Sequence, residues 1–465
     1  MTAADIYYHD IGDYLSREEK LAKIKDFGSI ENIPWQKITP NKHGDWVNKR
    51  NDKFKTFIPL APDKKFTQNT QSLFIVNAIG IATNRDDWTY NFSKKLLLEN
   101  MKSMVAVYNE QVTAYKYETQ VKHNPYIKVE DFVDKDHKKI KWTRALKNNA
   151  ANCVMHKFKK EFVTYSMYRP FQKLFLYDDH NFIESPGISD KLFPTADVEN
   201  LVICISCVGV NSGLSVSLSN SIVDLHFNGD TQCFPLYWYE EKDKTKLGLF
   251  DNPDNDKEYV RHEAVSDFIF GQAKKIYGDS VTKEDIFYYV YGFLHSPDYR
   301  QTFAADLKKD LPHIPLPDEP KQFWAFSKTG RQLAELHLNY ENQPKPDGVK
   351  VASTGSATAD KKYEVQKMRF ADKTKKDKII YNSSITVENI PPEVYAYVVN
   401  GRSPVEWIME RYQVTVDKDS GIKNDPNDWA KEHDNPKYIL DLLLSVMTVA
   451  IKTNEIVKGL PRVRI

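Results

Sequence analysis

Cys204 and Cys207 are spaced like half of a zinc site, since two thiolates three residues apart can ligate one metal from a tight turn. No second pair follows, and His156, His226 and Cys233 are scattered. With Leu201, Val202, Ile203, Ile205 and Val208 around it, the pair reads as a buried strand, in which residues three apart face opposite ways. Asp178-Asp179-His180 offers carboxylates and an imidazole for acid–base or metal chemistry. It follows the apolar run 174–177 and so reads as the turn that ends a strand. Gly209-Val210-Asn211-Ser212-Gly213 has the glycines of a phosphate-cradling loop, but no Lys-Ser/Thr and no helix start follow, so a hairpin turn is expected. These constellations supply no catalytic group, no metal site and no cofactor site.

Two further constellations concern nucleic acid. His123-Asn124-Pro125-Tyr126 resembles the Asn-Pro-Pro-Tyr loop of amino-methyltransferases, in which the Asn and a carbonyl hold a target amino group while the Tyr stacks on the flipped base. One Pro is missing, residues 116–122 are mostly polar, and no Gly-rich cofactor loop lies upstream, so a plain turn is the preferred reading. Residues 134–161 hold nine basic side chains (Lys135, Lys138, Lys139, Lys141, Arg144, Lys147, Lys157, Lys159, Lys160) against three acidic ones, around Trp142 and Phe158. Such a run is either a solvated helix face or a surface that neutralises phosphates. Tyr168 and Arg169 before Pro170, and Asn211, Ser212 and Asn220 on the loop at 211–220, are types that read base edges by hydrogen bonding. Arg85 has the same capacity or pairs with its neighbours Asp86 and Asp87; the pairing is preferred.

The elements that position these residues follow from periodicity. A strand at 6–9 and a helix at 17–27, with Leu21, Ile24 and Phe27 at helical spacing, precede an irregular stretch, 33–54, that reads as a tether or interface. A second body starts near residue 57, with a strand-like run at 72–79. A helix at 90–112 follows, whose buried stripe is Leu97, Met101, Met104, Val105 and Tyr108. From 162 to 239 the texture is β, in runs at 174–177, 201–210, 215–218 and 222–227. Helices are expected at 263–277, 283–294 and 298–311, the last ended by Pro312, Pro315, Pro317 and Pro320. Residues 342–362, with Pro344, Pro346, Gly348 and a run of Ser, Thr, Gly and Ala, read as an exposed linker. Beyond it come a strand pair, 363–370 and 379–387, and helices at 404–412 and 436–453.

At 465 residues the chain implies about three structural units. Its 41% hydrophobic and 12% aromatic content supports packed cores and excludes disorder. A net charge of +1 advertises no global nucleic-acid or membrane affinity, so any electrostatic site must be local. Four cysteines are too few for a disulfide scaffold and fit a reducing compartment. The apolar stretch 439–451 contains Asp441 and is too short to span a bilayer, and residues 1–20 are charged, unlike a secretory signal. A cytoplasmic protein with no membrane partner is expected.

Seven ordered blocks together resemble the C-terminal part of the Type ISP restriction-modification enzymes, which are single-chain, ATP-dependent bacterial enzymes with nuclease, translocase, adenine methyltransferase and target-recognition regions. The blocks are Asp10-Ile11-Gly12-Asp13-Tyr14-Leu15; Gly44-Asp45-Trp46; Thr83-Asn84-Arg85-Asp86; Tyr168-Arg169-Pro170-Phe171; Tyr289-Val290-Tyr291-Gly292 through Leu307; Glu335-Leu336-His337-Leu338-Asn339-Tyr340-Glu341; and Val399-Asn400-Gly401-Arg402-Ser403 through Trp429. The resemblance implies an α+β protein, with a β-containing target-recognition unit flanked by helical regions. Residues 1–56 would be the trailing edge of a methyltransferase domain with its tether, 57–341 the recognition domain, 342–362 a linker, and 363–465 the strand pair and terminal helices. It further implies a specificity domain that binds double-stranded DNA and partners the methyltransferase and translocase/nuclease regions. With no phosphate-cradling loop, helicase motif, nuclease cluster or double-Pro methylation loop, the chain would not cut, translocate or methylate on its own. The expected DNA-contacting residues are Arg85, Lys138, Lys139, Lys141, Arg144, Tyr168, Arg169, Asn211, Ser212 and Asn220. Two alternatives stay open: an adenine methyltransferase using Asn124-Pro125-Tyr126, and a protein-interaction scaffold.

Overall fold

The structure is a computed structural model that describes residues 4–12, 15–67, 70–124, 126–195, 197–210, 212–242, 259–354 and 361–463. At the N-terminus, Ile6–Tyr8 pairs antiparallel with Gln36–Ile38 and brackets the helix Arg17–Phe27. Ser16 and Glu19 form a capping box at its start, and Gly28, at φ 66°, closes it. The helix forms where its spacing predicts, yet it buries no residue: Leu21 and Ile24 each stay 55% exposed. The tether that follows is pinned. Buried Asp45 holds Arg50 Nε at 3.0 Å and Lys309 Nζ at 2.5 Å, while Phe54 packs between Phe303 and His313.

The body that follows holds two four-stranded sheets. In one, Val163–Arg169 and Gln172–Tyr177 form a central hairpin flanked by Tyr90–Asn91 and, in parallel, Ile222–Val223. Pro170 and Phe171, the latter at φ 59°, make its turn. In the other, Val202–Ile205 lies between Val216–Ser219 and Gln232–Pro235, with Ala78–Ile79 outside. The run expected at 72–79 is therefore a strand only at its end. The helix Lys94–Lys116 buries the expected stripe of Leu97, Met101, Met104, Val105 and Tyr108 against the first sheet.

Helices Asp267–Tyr277 and Lys283–Phe293 also form where expected, whereas 298–311 divides into Pro297–Thr302 and Ala304–Leu307. Pro320, read as part of a helix stop, instead opens the helix Pro320–Leu338, because its missing N–H is harmless in a first turn. This helix and Lys283–Phe293 meet backbone to backbone at Gly330 and Gly292. A Cβ at Gly330 would lie 1.9 Å from the Tyr288 carbonyl oxygen, so no other residue fits there without moving a helix. His337 then joins three helices. Its ring nitrogens lie 2.6 Å from the Tyr291 hydroxyl and 2.9 Å from that of Thr453. Burial drives its pKa down to about 3, so a neutral ring serves one hydroxyl as donor and the other as acceptor.

The expected linker is partly structure. Lys350–Ser353 is an edge strand paired with Ile385–Glu388, followed by Lys378–Ile380 and Arg369–Phe370, and residues 355–360 lie outside the described set. Ladder pairing is made by backbone, so a Pro-flanked, small-residue sequence concealed it. The terminal helices are Pro404–Arg411, Pro426–Glu432 and Tyr438–Lys458. Their core is continuous with the first sheet: Leu174 and Tyr177 share one apolar cluster with Tyr381, Trp407 and Leu443. No described helix is long and apolar enough to cross a membrane.

Candidate nucleic-acid interface

The cations expected at a DNA surface divide into inner and outer sets. Arg85 belongs to the inner set and is fully buried. Its Nη2 donates to Thr143 Oγ1 at 2.6 Å, and the guanidinium stands 5.7 Å from the Phe182 ring centroid. Burial pulls its pKa down to about 10, against the pull of Glu184 and Asp87. It can neither touch DNA nor make the expected ion pairs with Asp86 and Asp87, because the turn Thr83–Asp86 points it into the core under the 134–161 segment.

Tyr168 and Arg169 are also anchored internally. The Tyr168 hydroxyl donates to Asp86 Oδ2 at 2.9 Å, Arg169 Nη1 donates to Asp224 Oδ1 at 2.6 Å, and the guanidinium stacks 3.8 Å from the Tyr168 ring centroid. Burial pushes the Asp224 carboxyl up to about 6, and Arg169 opposes a further rise. This network borders a cleft of about 650 Å³ between the two-sheet body and the C-terminal region, with Lys141 on one wall and Arg411, Gln413 and Thr415 on the other. Sequence reasoning does not single out Asp224, and it offers Asp86 only as a partner for Arg85. Their signal, acidic residues adjoining Arg85 and following the 222–223 strand, has no spacing that separates it from ordinary turns.

The outer set comes from the basic run. Lys138 is exposed with no side-chain partner among the described residues. Lys139 Nζ lies 2.6 Å from Asp134, and Lys141 Nζ lies 3.0 Å from Asp87. Arg144, with 87% of its side chain exposed, approaches Glu184 only to 3.7 Å. Thr143 caps the helix Arg144–Ala151, and Trp142 and Phe158 pack against the core, so one face of the run is structural and the other is basic.

On the loops, Asn220 is exposed in the turn after Val216–Ser219. Ser212 is exposed too, but its hydroxyl donates to Asn400 Oδ1 at 2.9 Å, and the Asn400 amide donates to Ser215 Oγ at 2.6 Å. The Asn400-Gly401 turn thus latches the C-terminal region onto the loop that carries Ser212 and Ser215. Asn211 lies outside the described residues. So does Pro125 of the Asn124-Pro125-Tyr126 run; Tyr126 itself is 91% exposed beyond the helix Lys94–Lys116. Cys204 is a buried strand residue opposite Cys233, and both are free thiols. Asp179 Oδ1 accepts from the Asn181 backbone and side-chain nitrogens, which makes the 178–180 cluster a turn.

Comparison with known proteins places this geometry. The chain superposes with a TM-score of 0.81, at 40% identity, on a nuclease-deletion mutant of the Type ISP restriction-modification enzyme LlaGI in complex with a DNA substrate mimic, over 98% of this chain and 39% of that one. It superposes equally, at 35% identity, on the ATP-dependent Type ISP restriction-modification enzyme LlaBIII bound to DNA, over 99% of this chain and 28% of that one. A DrdV–DNA complex matches at 25% identity and a TM-score of 0.78, covering 99% of this chain and 44% of that one. The chain therefore spans less than half the length of each of these relatives. No curated protein matches it. Residues 72–442 match the model of the Type ISP C-terminal specificity domain, and the chain belongs to that family.

Proposed function

We propose that this chain recognises a specific sequence in double-stranded DNA, as the specificity part of a Type ISP restriction-modification enzyme acting in the cytoplasm. The supporting observation is likeness over 98% of the chain, at 40% identity, to an enzyme solved on a DNA substrate mimic. In this reading Lys138, Lys139, Lys141 and Arg144 settle on phosphates and fix the position of the protein, while Asn220 and its neighbouring loops meet base edges in the major groove. Lys139 exchanges its carboxylate for a phosphate at little cost, because exposed ion pairs contribute little, whereas Lys141 is held more firmly by the nearly buried Asp87. Methyl transfer, translocation and cleavage reside in other regions of such an enzyme, which this domain aligns with the target.

Selection of bound duplexes from a random pool tests the proposal. The chain is expected to enrich one sequence motif and to lose affinity steeply with salt. Equal recovery of all sequences would remove the assignment of specificity. Charge reversal at Lys139, Lys141 and Arg144 without effect would remove that patch. Titration with S-adenosylmethionine separates the methyltransferase alternative, which requires binding where this reading expects none.

A further inference from the structure

A second basic run occupies residues 361–378, where eight Lys and Arg face three acids. Lys376 is tied down: its ammonium lies 2.8 Å from Glu406 and stands over the rings of Phe370 and Tyr395. Lys378 pairs with Glu388 at 2.6 Å. Lys362 is half-buried and stands 5.6 Å over the Tyr363 ring, and the remaining five cations behave differently. Lys361, Lys367, Arg369, Lys373 and Lys375 are exposed, and none has a carboxylate within ion-pair distance among the described residues.

Four of these five sit on or beside one hairpin, Arg369–Phe370 with Lys378–Ile380, whose turn is rigid. Asp372 Oδ1 accepts from the Thr374 amide and hydroxyl and from the Lys375 amide, and the Tyr395 hydroxyl donates to the Lys376 carbonyl at 2.7 Å. Asp372 is thus engaged by the turn itself, and Asp377, the turn's other carboxylate, is exposed and makes no ion pair among the described residues. Arg369–Phe370 is an edge strand, and edge strands often carry a cation that discourages pairing with another sheet. Edge protection accounts for Arg369 but not for Lys373 and Lys375, which lie in the turn.

The run is also tied to a wall of the cleft. The Gln366 carbonyl accepts from the Val414 amide, and Gln413 and Thr415, on either side of Val414, line the wall that faces Lys141. Lys141 of the 134–161 run thus lines the cleft directly, and Gln366, at the head of the second run's cationic stretch, is hydrogen-bonded to the segment 413–415 of the opposite wall.

We infer that Lys367, Arg369, Lys373 and Lys375 form a second phosphate-contacting surface for duplex DNA, carried by the C-terminal region and separate from the 134–161 patch. The inference rests on the DNA-recognition reading. A preformed, unpaired cationic turn loses no ion pair on meeting phosphate and releases counterions from the duplex, so it contributes sequence-independent affinity.

The test is DNA binding by the 465-residue chain with a labelled duplex between about 50 and 200 mM salt. Combined Lys367→Gln, Arg369→Gln, Lys373→Gln and Lys375→Gln is expected to lower the slope of log affinity against log salt by about three to four. Affinity should fall roughly tenfold or more, equally for selected and random duplexes. A control removing the same charge elsewhere, at Lys20, Lys275, Lys321 and Lys328, should keep the wild-type slope, and arginine at the three lysines of the run should restore it. If the hairpin variant matches the control while both bind DNA, the second surface is overturned and the specificity reading stands. If the wild-type chain shows no salt-dependent binding, both fall.

Discussion

Two stretches of this chain carry an excess of lysine and arginine and hold it in different ways. In 134–161, Lys139 and Lys141 are paired with Asp134 and Asp87 and Arg144 approaches Glu184, while Lys135, Lys138, Lys157, Lys159 and Lys160 are exposed with no ion pair among the described residues. Thr143 caps a helix, and Trp142 and Phe158 pack against the core. In 361–378, two lysines anchor the hairpin and five other cations stand free. The local charges are similar, nine minus three or +6 in the first run and eight minus three or +5 in the second, and each run divides its cations between ones that anchor the fold and ones left free. What decides which cation is held is whether the fold brings it a carboxylate, as Asp87 and Glu184 are brought to the first run and Glu406 and Glu388 to the second. The second run differs in gathering four of its free cations on or beside one hairpin. The extremes of the inner set are Arg85 and Arg169, whose charge is wholly taken up by architecture.

The largest effect that sharpens this contrast is expected at Arg169. Arg169→Met leaves Asp224, 2% exposed, without its cation, and a buried carboxylate stripped of its partner costs about 3–5 kcal/mol. The same variant should show a pH signature. The folded Asp224 already titrates near 6, above its unfolded value of 3.8, and loss of Arg169 raises it further. The folded variant then holds a proton that the unfolded chain releases, so its stability falls as pH rises through and beyond 6 and recovers toward pH 5. Urea unfolding at pH 5 and pH 8 measures this. An equal deficit at both values would show that Asp224 is not the group left stranded.

Much of this architecture was legible in sequence because it is written in spacing. The stripe from Leu97 to Tyr108 has helical period, and the interior of 17–27 and 283–293 follows from caps and periodicity. Contacts distant in sequence were not legible. Arg85 gave no sign that Thr143 would receive its guanidinium, nor Ser212 that Asn400 would bind its hydroxyl, since each partner arrives through the tertiary fold. The strand Lys350–Ser353 was concealed by composition, because small and polar residues pair through backbone as readily as β-branched ones when a partner strand is provided. The second basic run escaped notice because its apolar residues read first as a strand pair.

An intermediate effect should separate unpaired Lys138 and loosely held Arg144 in the first run from its closely paired lysines. Lys138→Gln with Arg144→Gln removes two exposed charges that make no close ion pair, so the salt slope of DNA binding is expected to fall by about two, with unfolding unchanged. A loss confined to the selected sequence would instead assign these residues to base reading, and with it move the reading face onto the helix Arg144–Ala151.

The smallest effects concern the paired lysines, and their ranking is the finest test of the comparison. Lys139 and Asp134 are both solvent-facing, so Lys139→Gln should leave the unfolding midpoint unresolved from wild type. Lys141 differs, because its partner Asp87 has only 9% of its side chain exposed. Removing that lysine leaves a nearly buried carboxylate facing the cleft, and about 1 kcal/mol of stability should go with it. For DNA the order reverses: Lys139 swings freely to a phosphate and contributes close to a full unit of salt slope, whereas Lys141 keeps Asp87 and contributes less. Paired measurements of unfolding and salt slope on the two single variants decide this, and a larger slope change at Lys141 than at Lys139 would place the duplex inside the cleft rather than along its rim.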